Sequence, residues 1–182
     1  QLRDSSKSYF LERECSRKWM NKNGPDDKGI DHGSAGLDIL WPIVENEDYK
    51  EELEKAMKGE SFNNISCVIK YSIKEGATSI WMGDLETSFM DKICDKIDLP
   101  KTNILFAPHH GRKSGKIPDK WIKELNPDLI IMGEASSNDS DYSSYPDYNI
   151  IRQNTAKDIR FECIGKKIHI FSSNPNYSTS FL

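Results

Sequence analysis

Long apolar runs are missing from this chain of 182 residues. A membrane-spanning helix needs roughly 18 to 20 predominantly apolar residues in succession, and no stretch of the sequence approaches that length. The first ten residues, QLRDSSKSYF, have no apolar run after their charges, so they do not resemble a secretory signal peptide. These absences predict a cytoplasmic protein.

Cysteine and histidine are scarce, with four of each. The cysteines are widely spaced and form no C-x-x-C pair, which argues against a zinc knuckle or a disulfide framework and predicts reduced thiols. An excess of basic residues is also missing, because the net charge is −4. No global positive field would attract nucleic acid, so any anionic partner must be held by a local patch.

The composition that remains is typical of a globular domain, with 36% hydrophobic and 30% charged residues. A chain of this length suits one domain with a substantial core. Residues 1–35 are polar and poorly periodic, and residues 36–172 carry the regular patterns of an α/β domain. Residues 173–182 are expected to form a flexible tail.

Apolar periodicity predicts the first elements of this domain. LDILWPI (37–43) is typical of a buried strand, and NISCVIKYSI (64–73) alternates with the two-residue period of a strand. The turn KEGA joins this second strand to TSIWM as an antiparallel hairpin. A helix over about residues 47–58 is predicted from the recurrence of apolar residues every four positions, at Tyr49, Leu53 and Met57.

Strands and helices then alternate. The strand SIWM leads to a helix with one apolar stripe, which is followed by strand NILFA, helix PDKWIKEL and strand DLIIM. Such an order predicts right-handed βαβ units with parallel neighbouring strands. NIIRQNTA (149–156) predicts a further helix, and RFECI with IHIFS predicts a hairpin that turns at Gly165 and Lys166.

Polar residues follow each of the three predicted parallel strands. Asp84 follows the first strand, His109 and His110 follow the second, and the segment 133–137, which includes Glu134, follows the third. The carboxyl ends of parallel strands share one edge of the sheet, where ligands of α/β proteins bind. Asp84 alone could equally be the N-cap of the next helix, and Glu134 the solvated end of a strand.

The two adjacent histidines are the most specific signal in the sequence. Imidazoles ligate metals and transfer protons, and adjacent ones seldom arise from packing needs. Since successive residues of extended chain point to opposite sides, one ring is expected to face the crevice and the other to lie behind it or at its rim. The sequence leaves open which of them faces inward. The other histidines, His32 in a polar loop and His169 inside a strand, are not assigned to the site.

A cationic loop follows the histidines. Arg112, Lys113 and Lys116 are interspersed with Gly111 and Gly115, which permit close approach of the backbone. Either these cations attract an anionic substrate or they form an ordinary solvated loop.

The succession of SIWMGDLE, NILFAPHHGRKSG, DLIIMGEASS and YSSYPDYNIIRQN resembles the carboxyl-terminal half of the metallo-β-lactamase fold. The similarity is to the branch of hydrolase domains like that of the DNA-uptake competence protein ComEC, and it covers about residues 36–172. It implies an αββα sandwich in which Asp84 is a metal ligand and can bridge two ions. His109 and His110 would be ligands or catalytic contacts to the substrate, and Arg112 and Lys113 would bind it.

Two departures from that family pattern are visible. The H-x-H-x-D-H motif that supplies most metal ligands is missing, and Tyr145-Pro146 stands where the family has His-Pro. Tyrosine is a poor zinc ligand because its pKa is about 10, so Tyr145 is expected to contact the substrate instead. Either the chain is the carboxyl-terminal part of a longer protein, which fits a start at Gln1, or it builds no full metal site.

The resemblance implies a metal-dependent hydrolase that attacks a phosphodiester of DNA or RNA, or another anionic ester, with metal-activated water. Zinc is the first choice of metal for histidine and carboxylate ligands, and manganese is the second. The alternative is a degenerate hydrolase fold that serves as a non-catalytic binding or regulatory module.

Overall fold

The computed structural model of the protein describes residues 11–14, 25, 28–31, 33–133, 139, 142–165 and 167–181. In this part of the chain the fold is mixed α/β, with a six-stranded sheet, a two-stranded sheet and four α-helices. The strands are Leu37–Trp41 (β1), Val68–Ser72 (β2), Thr78–Trp81 (β3), Ile104–Phe106 (β4), Leu129–Met132 (β5), Ile150–Arg152 (β6), Ile159–Ile164 (β7) and Lys167–Ser172 (β8).

The helices are short. They are Glu47–Met57 (α1), Thr87–Lys92 (α2), Asp119–Leu125 (α3) and Gln153–Ala156 (α4). Among the residues described, no helix has both the length and the apolar character that crossing a membrane requires.

The large sheet is ordered β1-β2-β3-β4-β5-β6. Strands β1, β2 and β3 pair antiparallel, whereas β3, β4, β5 and β6 pair parallel. The predicted hairpin of β2 and β3 and the predicted parallel order of β3, β4 and β5 are therefore confirmed. The carboxyl ends of four adjacent strands meet at one edge of the sheet, because parallel strands run in the same direction.

The main core lies on one face of this sheet. The predicted stripe after β3 is buried there, since Leu85, Phe89, Ile93 and Ile97 are each at most 4% exposed. Trp121 of α3 is fully buried in the same cluster. Burial of a large apolar side chain stabilises a fold by roughly 1.5 to 3 kcal/mol, so this stripe and Trp121 contribute to holding α2 and α3 on the sheet.

The two-stranded sheet β7-β8 covers the opposite face. Ile104, Leu129 and Ile131 point away from the main core and form a second cluster with residues of this hairpin, among them Phe161 and Ile170. The residues after β8, predicted as a flexible tail, contribute Tyr177 and Phe181 to the same cluster. The predicted hairpin is confirmed, and Gly165 takes a positive φ of 61° at its turn; Lys166 lies outside the described residues.

Two details of the sequence prediction are wrong. The segment 149–156 is helical only in its second half, because Ile150–Arg152 forms a fourth parallel strand beside β5. Adjacent β-branched isoleucines fit a pleated sheet well, and pairing with the buried strand β5 overrides the weak helical pattern.

Helix α1 also buries a different face than predicted. Met57 is 81% exposed and Leu53 is 38% exposed, whereas Glu52 and Ala56 are buried. The helix ends at Met57, and Gly59, with a φ of 79°, donates its amide to the carbonyl of Ala56 just beyond the helix end.

Candidate functional site

The loop after β3 is fixed by close packing of its glycine. Gly83 has a φ of 56°, and a Cβ built there would lie 2.5 Å from the Cβ of Ser66. The next amide, that of Asp84, donates to Ser66 Oγ at 3.0 Å. Only glycine fits this combination of backbone conformation and contact, so the loop holds the Asp84 backbone in one position.

Asp84 is not the N-cap of α2. The N-cap is Glu86, whose side chain makes no capping hydrogen bond. Its amide instead donates to Asn64 Oδ1 at 3.0 Å. The interpretation of Asp84 as a helix cap is therefore wrong, and its carboxylate, with the side chain 42% exposed, lies at the end of β3.

A buried polar network supports this loop from behind. Lys55 Nζ donates to Glu52 Oε1 at 2.6 Å, and Asn64 Nδ2 donates to Glu52 Oε2 at 3.0 Å. Burial raises the pKa of Glu52, but the hydrogen bonds from Lys55 and Asn64 together outweigh it and lower that pKa. Because Asn64 also binds the Glu86 amide, the ionised Glu52 ties α1 to the start of α2.

The histidine turn has an uncommon backbone. His109, His110 and Gly111 follow each other with φ of 50°, 56° and 76°. The left-handed region costs a non-glycine residue about 1 to 2 kcal/mol, so the two histidines are held there against a backbone preference. The His109 amide donates to the carbonyl of Gly83 at 2.9 Å, which joins the turn to the loop after β3.

His109 lies behind the turn. It is 8% exposed, and its Nδ1 lies 3.1 Å from Ser114 Oγ. A Cβ built on Gly115 would lie 2.6 Å from the Cβ of His109, so glycine is needed for this loop to cover the imidazole. His109 is therefore fixed by Ser114 at its ring and by Gly115 at its Cβ.

His110 faces Asp84. Its Nε2 lies 3.4 Å from Asp84 Oδ1, with the two side chains 61% and 42% exposed. Its Nδ1 lies 3.8 Å from the position of a Cβ built on Gly133, at the end of β5. The structure thus brings Asp84, His110 and Gly133 together. The left-handed turn, rather than alternation along extended chain, sends one ring outward and the other inward.

Hydrogen bonds hold the backbone of the cationic loop in place. Arg112 and Lys113 are exposed, but Thr87 Oγ1 lies 3.0 Å from the carbonyl oxygen of Ser114 and 2.7 Å from that of Lys116. These contacts fix the backbone of the loop, so its cationic side chains project from a defined position next to the histidine turn.

Tyr145 supports the same loop from the core. It is 4% exposed, and its hydroxyl accepts a hydrogen bond from the Ile117 amide at 3.0 Å. The predicted contact between Tyr145 and a substrate would require this buried side chain to become accessible. The structure places the ring in the main core, not beside His110.

Asp84 and His110 match a metal site in the chemistry of their donors but not in their number. Carboxylate oxygen and imidazole nitrogen are suitable zinc ligands, and zinc sites have three or four protein ligands. No group of three or more His, Cys, Asp or Glu residues suited to a metal ion occurs among the residues that the structure describes. Glu134, Ser136, Ser137 and His32 lie outside that part of the chain.

Gln153 is a residue of this edge that sequence reasoning missed. It directly follows β6, and its Oε1 lies 3.6 Å from the position of a Cβ built on Gly133. Because the segment was predicted as one helix, no strand end was expected there. The adjacent isoleucines Ile150 and Ile151 are the signal that could have indicated a strand.

The fold and the site define a mixed α/β protein with an acid–imidazole pair at the carboxyl edge of its parallel strands. No known family model matches the chain, and no curated protein matches it significantly. The resemblance to metallo-β-lactamase-like hydrolases therefore stays a prediction, based on the motifs around Asp84, His109 and His110.

Proposed function

We propose that the chain is part of a metal-dependent hydrolase of the metallo-β-lactamase superfamily, with a phosphodiester of nucleic acid or another anionic ester as its substrate. The observation that carries this proposal is the contact of 3.4 Å between Asp84 and His110 at the ends of adjacent strands. The left-handed backbone of His109 and His110 also supports the proposal. Strained backbone persists only where the surrounding structure holds it in place, and such strain clusters at functional sites.

In this proposal the described fold is one half of an αββα sandwich. Helices α2 and α3 cover one face of the large sheet, and the two-stranded sheet covers the other. In a four-layer sandwich each sheet has helices on its outer face and a second sheet on its inner face, and in this proposal β7 and β8 belong to that second sheet.

Asp84 and His110 would hold a metal ion, zinc by preference and manganese as the second choice, together with ligands from outside the described residues. The bound ion would supply a water that ionises near neutral pH. Arg112 and Lys113 would bind the negative charge of the substrate, because their loop is fixed beside the histidine turn. His109 would hold the turn in place through its contact with Ser114.

Zinc binding tests the assignment of ligands. Equilibrium dialysis with zinc and with manganese is to be compared for the wild-type chain, Asp84→Asn and His110→Asn. Asp98→Asn is the matched control, because it makes the same chemical change at another exposed aspartate. We expect each site variant, but not the control, to weaken zinc binding at least tenfold, since each variant removes a ligand or its charge.

Stability should hardly change in these variants. The Asp84–His110 pair is exposed, and such pairs contribute about 0 to 1 kcal/mol. Hydrolysis of a reporter phosphodiester, with and without chelator, supplies the activity readout. Zinc binding that is equal in the wild type and Asp84→Asn would show that Asp84 is not a ligand.

A second candidate function is a binding module without catalysis. It is favoured by the lack of a three-ligand group among the described residues and by the buried hydroxyl of Tyr145. The double variant Arg112→Ala/Lys113→Ala distinguishes the roles of the loop. Loss of a phosphate contact should lower the salt slope of polyanion binding by about one, whereas a solvated loop would leave it unchanged. Binding that needs these cations but no metal would favour the module.

A further inference from the structure

Among the described residues, a small space lies above Gly133, at the end of β5. A Cβ built on Gly133 would lie 3.6 Å from Gln153 Oε1 and 3.8 Å from His110 Nδ1. Apart from the neighbours of Gly133 in the chain, no other atom of the described residues lies within 4 Å of that point. Both distances are ordinary van der Waals separations. Among the described residues, two polar groups therefore face a small gap that is left because residue 133 has no side chain.

Gln153 reaches this gap because of the strand that sequence reasoning missed. Strand β6 runs parallel to β5 with Arg152 beside Met132, so Gln153 is the first residue beyond the strand end. The same sheet edge therefore carries a polar group or a gap at the ends of four successive strands. In the order of β3, β4, β5 and β6, these are Asp84, His110, Gly133 and Gln153.

The two groups around the gap can both donate to an anionic oxygen, the carboxamide through its NH₂ group and the imidazole through Nδ1 when that nitrogen carries a proton. A carboxamide presents an NH₂ donor and an oxygen acceptor, and rotation of the amide plane exchanges them. The imidazole of His110 has its Nε2 directed at Asp84, which leaves Nδ1 facing the gap. Gln153 is exposed, and its side chain makes no hydrogen bond to another residue in the described part of the chain.

We propose that Gln153 is a substrate-positioning residue whose carboxamide, together with His110 Nδ1, holds one oxygen of a phosphate group above Gly133. The class of ligand rests on the proposed function, whereas the gap and the residues that frame it are independent of any metal. Glycine at residue 133 is needed for this binding, since a side chain there would occupy the place of the bound oxygen.

Side-chain NMR in the absence of metal tests this inference. The full chain, labelled with ¹⁵N, is to be titrated with dimethyl phosphate, a simple phosphodiester, and with inorganic phosphate in parallel. We expect the NH₂ resonances of Gln153 and the ring resonances of His110 to shift together, with one dissociation constant. Stronger binding of inorganic phosphate than of the diester would assign the site to a terminal phosphate.

Variants complete the test. Gln153→Ala should raise the dissociation constant at least threefold, and Gln153→Glu should raise it further because a carboxylate repels the anion. Gly133→Ala should also weaken binding, and its melting curve shows whether the fold is kept. Asn154→Ala is the matched control, as it removes the neighbouring exposed amide of α4.

Each outcome separates this inference from the hydrolase proposal. Equal binding by Gln153→Ala and the wild type, or an absence of shifts at Gln153, would overturn the positioning role even if Asp84 proved to be a zinc ligand. Conversely, Gln153-dependent phosphate binding in a chain that binds no zinc would support this inference and count against Asp84 and His110 as zinc ligands of this chain.

Discussion

Gly83→Ala is expected to be among the most destabilising methyl additions in the protein. The substitution places a Cβ at 2.5 Å from Ser66 Cβ and 2.9 Å from Ser66 Oγ, in a residue with a φ of 56°. The left-handed backbone costs alanine about 1 to 2 kcal/mol. Carbon atoms pack best about 3.5 to 4.0 Å apart, and overpacking of this kind costs about 1 to 3 kcal/mol.

The two effects predict a loss of about 2 to 5 kcal/mol in the free energy of unfolding, or about 4 to 20 °C in melting temperature for a chain of this size. Urea unfolding followed by tryptophan fluorescence measures it, because Trp41 and Trp121 are fully buried in the fold. Gly165→Ala separates the backbone effect from the contact effect. Gly165 has a φ of 61°, but no atom of the described residues, its chain neighbours aside, lies within 4 Å of its built Cβ.

Gly165→Ala should therefore lose only about 1 to 2 kcal/mol, the backbone cost alone. The double variant Gly83→Ala/Ser66→Gly should recover part of the loss, because it removes the atoms that the new methyl meets. Equal losses for Gly83→Ala and Gly165→Ala would refute the contact with Ser66 as the reason for glycine at this position.

Two further predictions concern residues that support the site. Glu52 has a lowered pKa in the folded protein, so its contribution to stability is present above its unfolded pKa and is lost as pH falls through the folded value. The difference in free energy of unfolding between the wild type and Glu52→Gln, measured by urea unfolding from pH 7 to pH 3, should become smaller as the pH falls. A difference that stays constant would contradict a lowered pKa of Glu52 in the folded protein. Ser114→Ala should change the ¹⁵N shifts of the His109 ring, whose Nδ1 loses its partner at 3.1 Å, while stability falls by only about 0.5 to 1.5 kcal/mol. Ser114→Thr should restore the shifts, and ring shifts that are identical in the wild type and Ser114→Ala would show that the serine does not orient His109.

The regular elements of the fold could largely be predicted from sequence where periodicity was strong. The stripe of Leu85, Phe89 and Ile93 repeats at helical spacing, and it is buried. Helix α1 shows the limit of the method, because Met57 has the right spacing but lies beyond the reach of the core. Which face of a helix is buried depends on its neighbours in space, which spacing alone does not define.

The site was predictable in its location but not in its geometry. Parallel strands bring Asp84 and His110 to one edge, and that follows from topology. The left-handed conformation of His109 and His110 could not be anticipated, because non-glycine residues disfavour it and only tertiary contacts maintain it. Gln153 was missed for a related reason, since its place at the edge depends on the pairing of β6 with β5.

The close packing around the histidine turn also limits how this protein can diverge. At Gly83, Gly111 and Gly115 an added methyl would lie within 2.5 to 2.6 Å of a neighbouring atom. Core residues tolerate exchange for others of similar volume. At Gly83 and Gly115 an added methyl meets a Cβ or the backbone of a neighbour, and at Gly111 it meets the end of the Met132 side chain in a backbone with a φ of 76°. Homologues that keep this turn are expected to exchange their core residues before they exchange these glycines. Their spacing, G-D followed by P-H-H-G and a glycine four residues later, is thus the feature by which remote descendants could be traced.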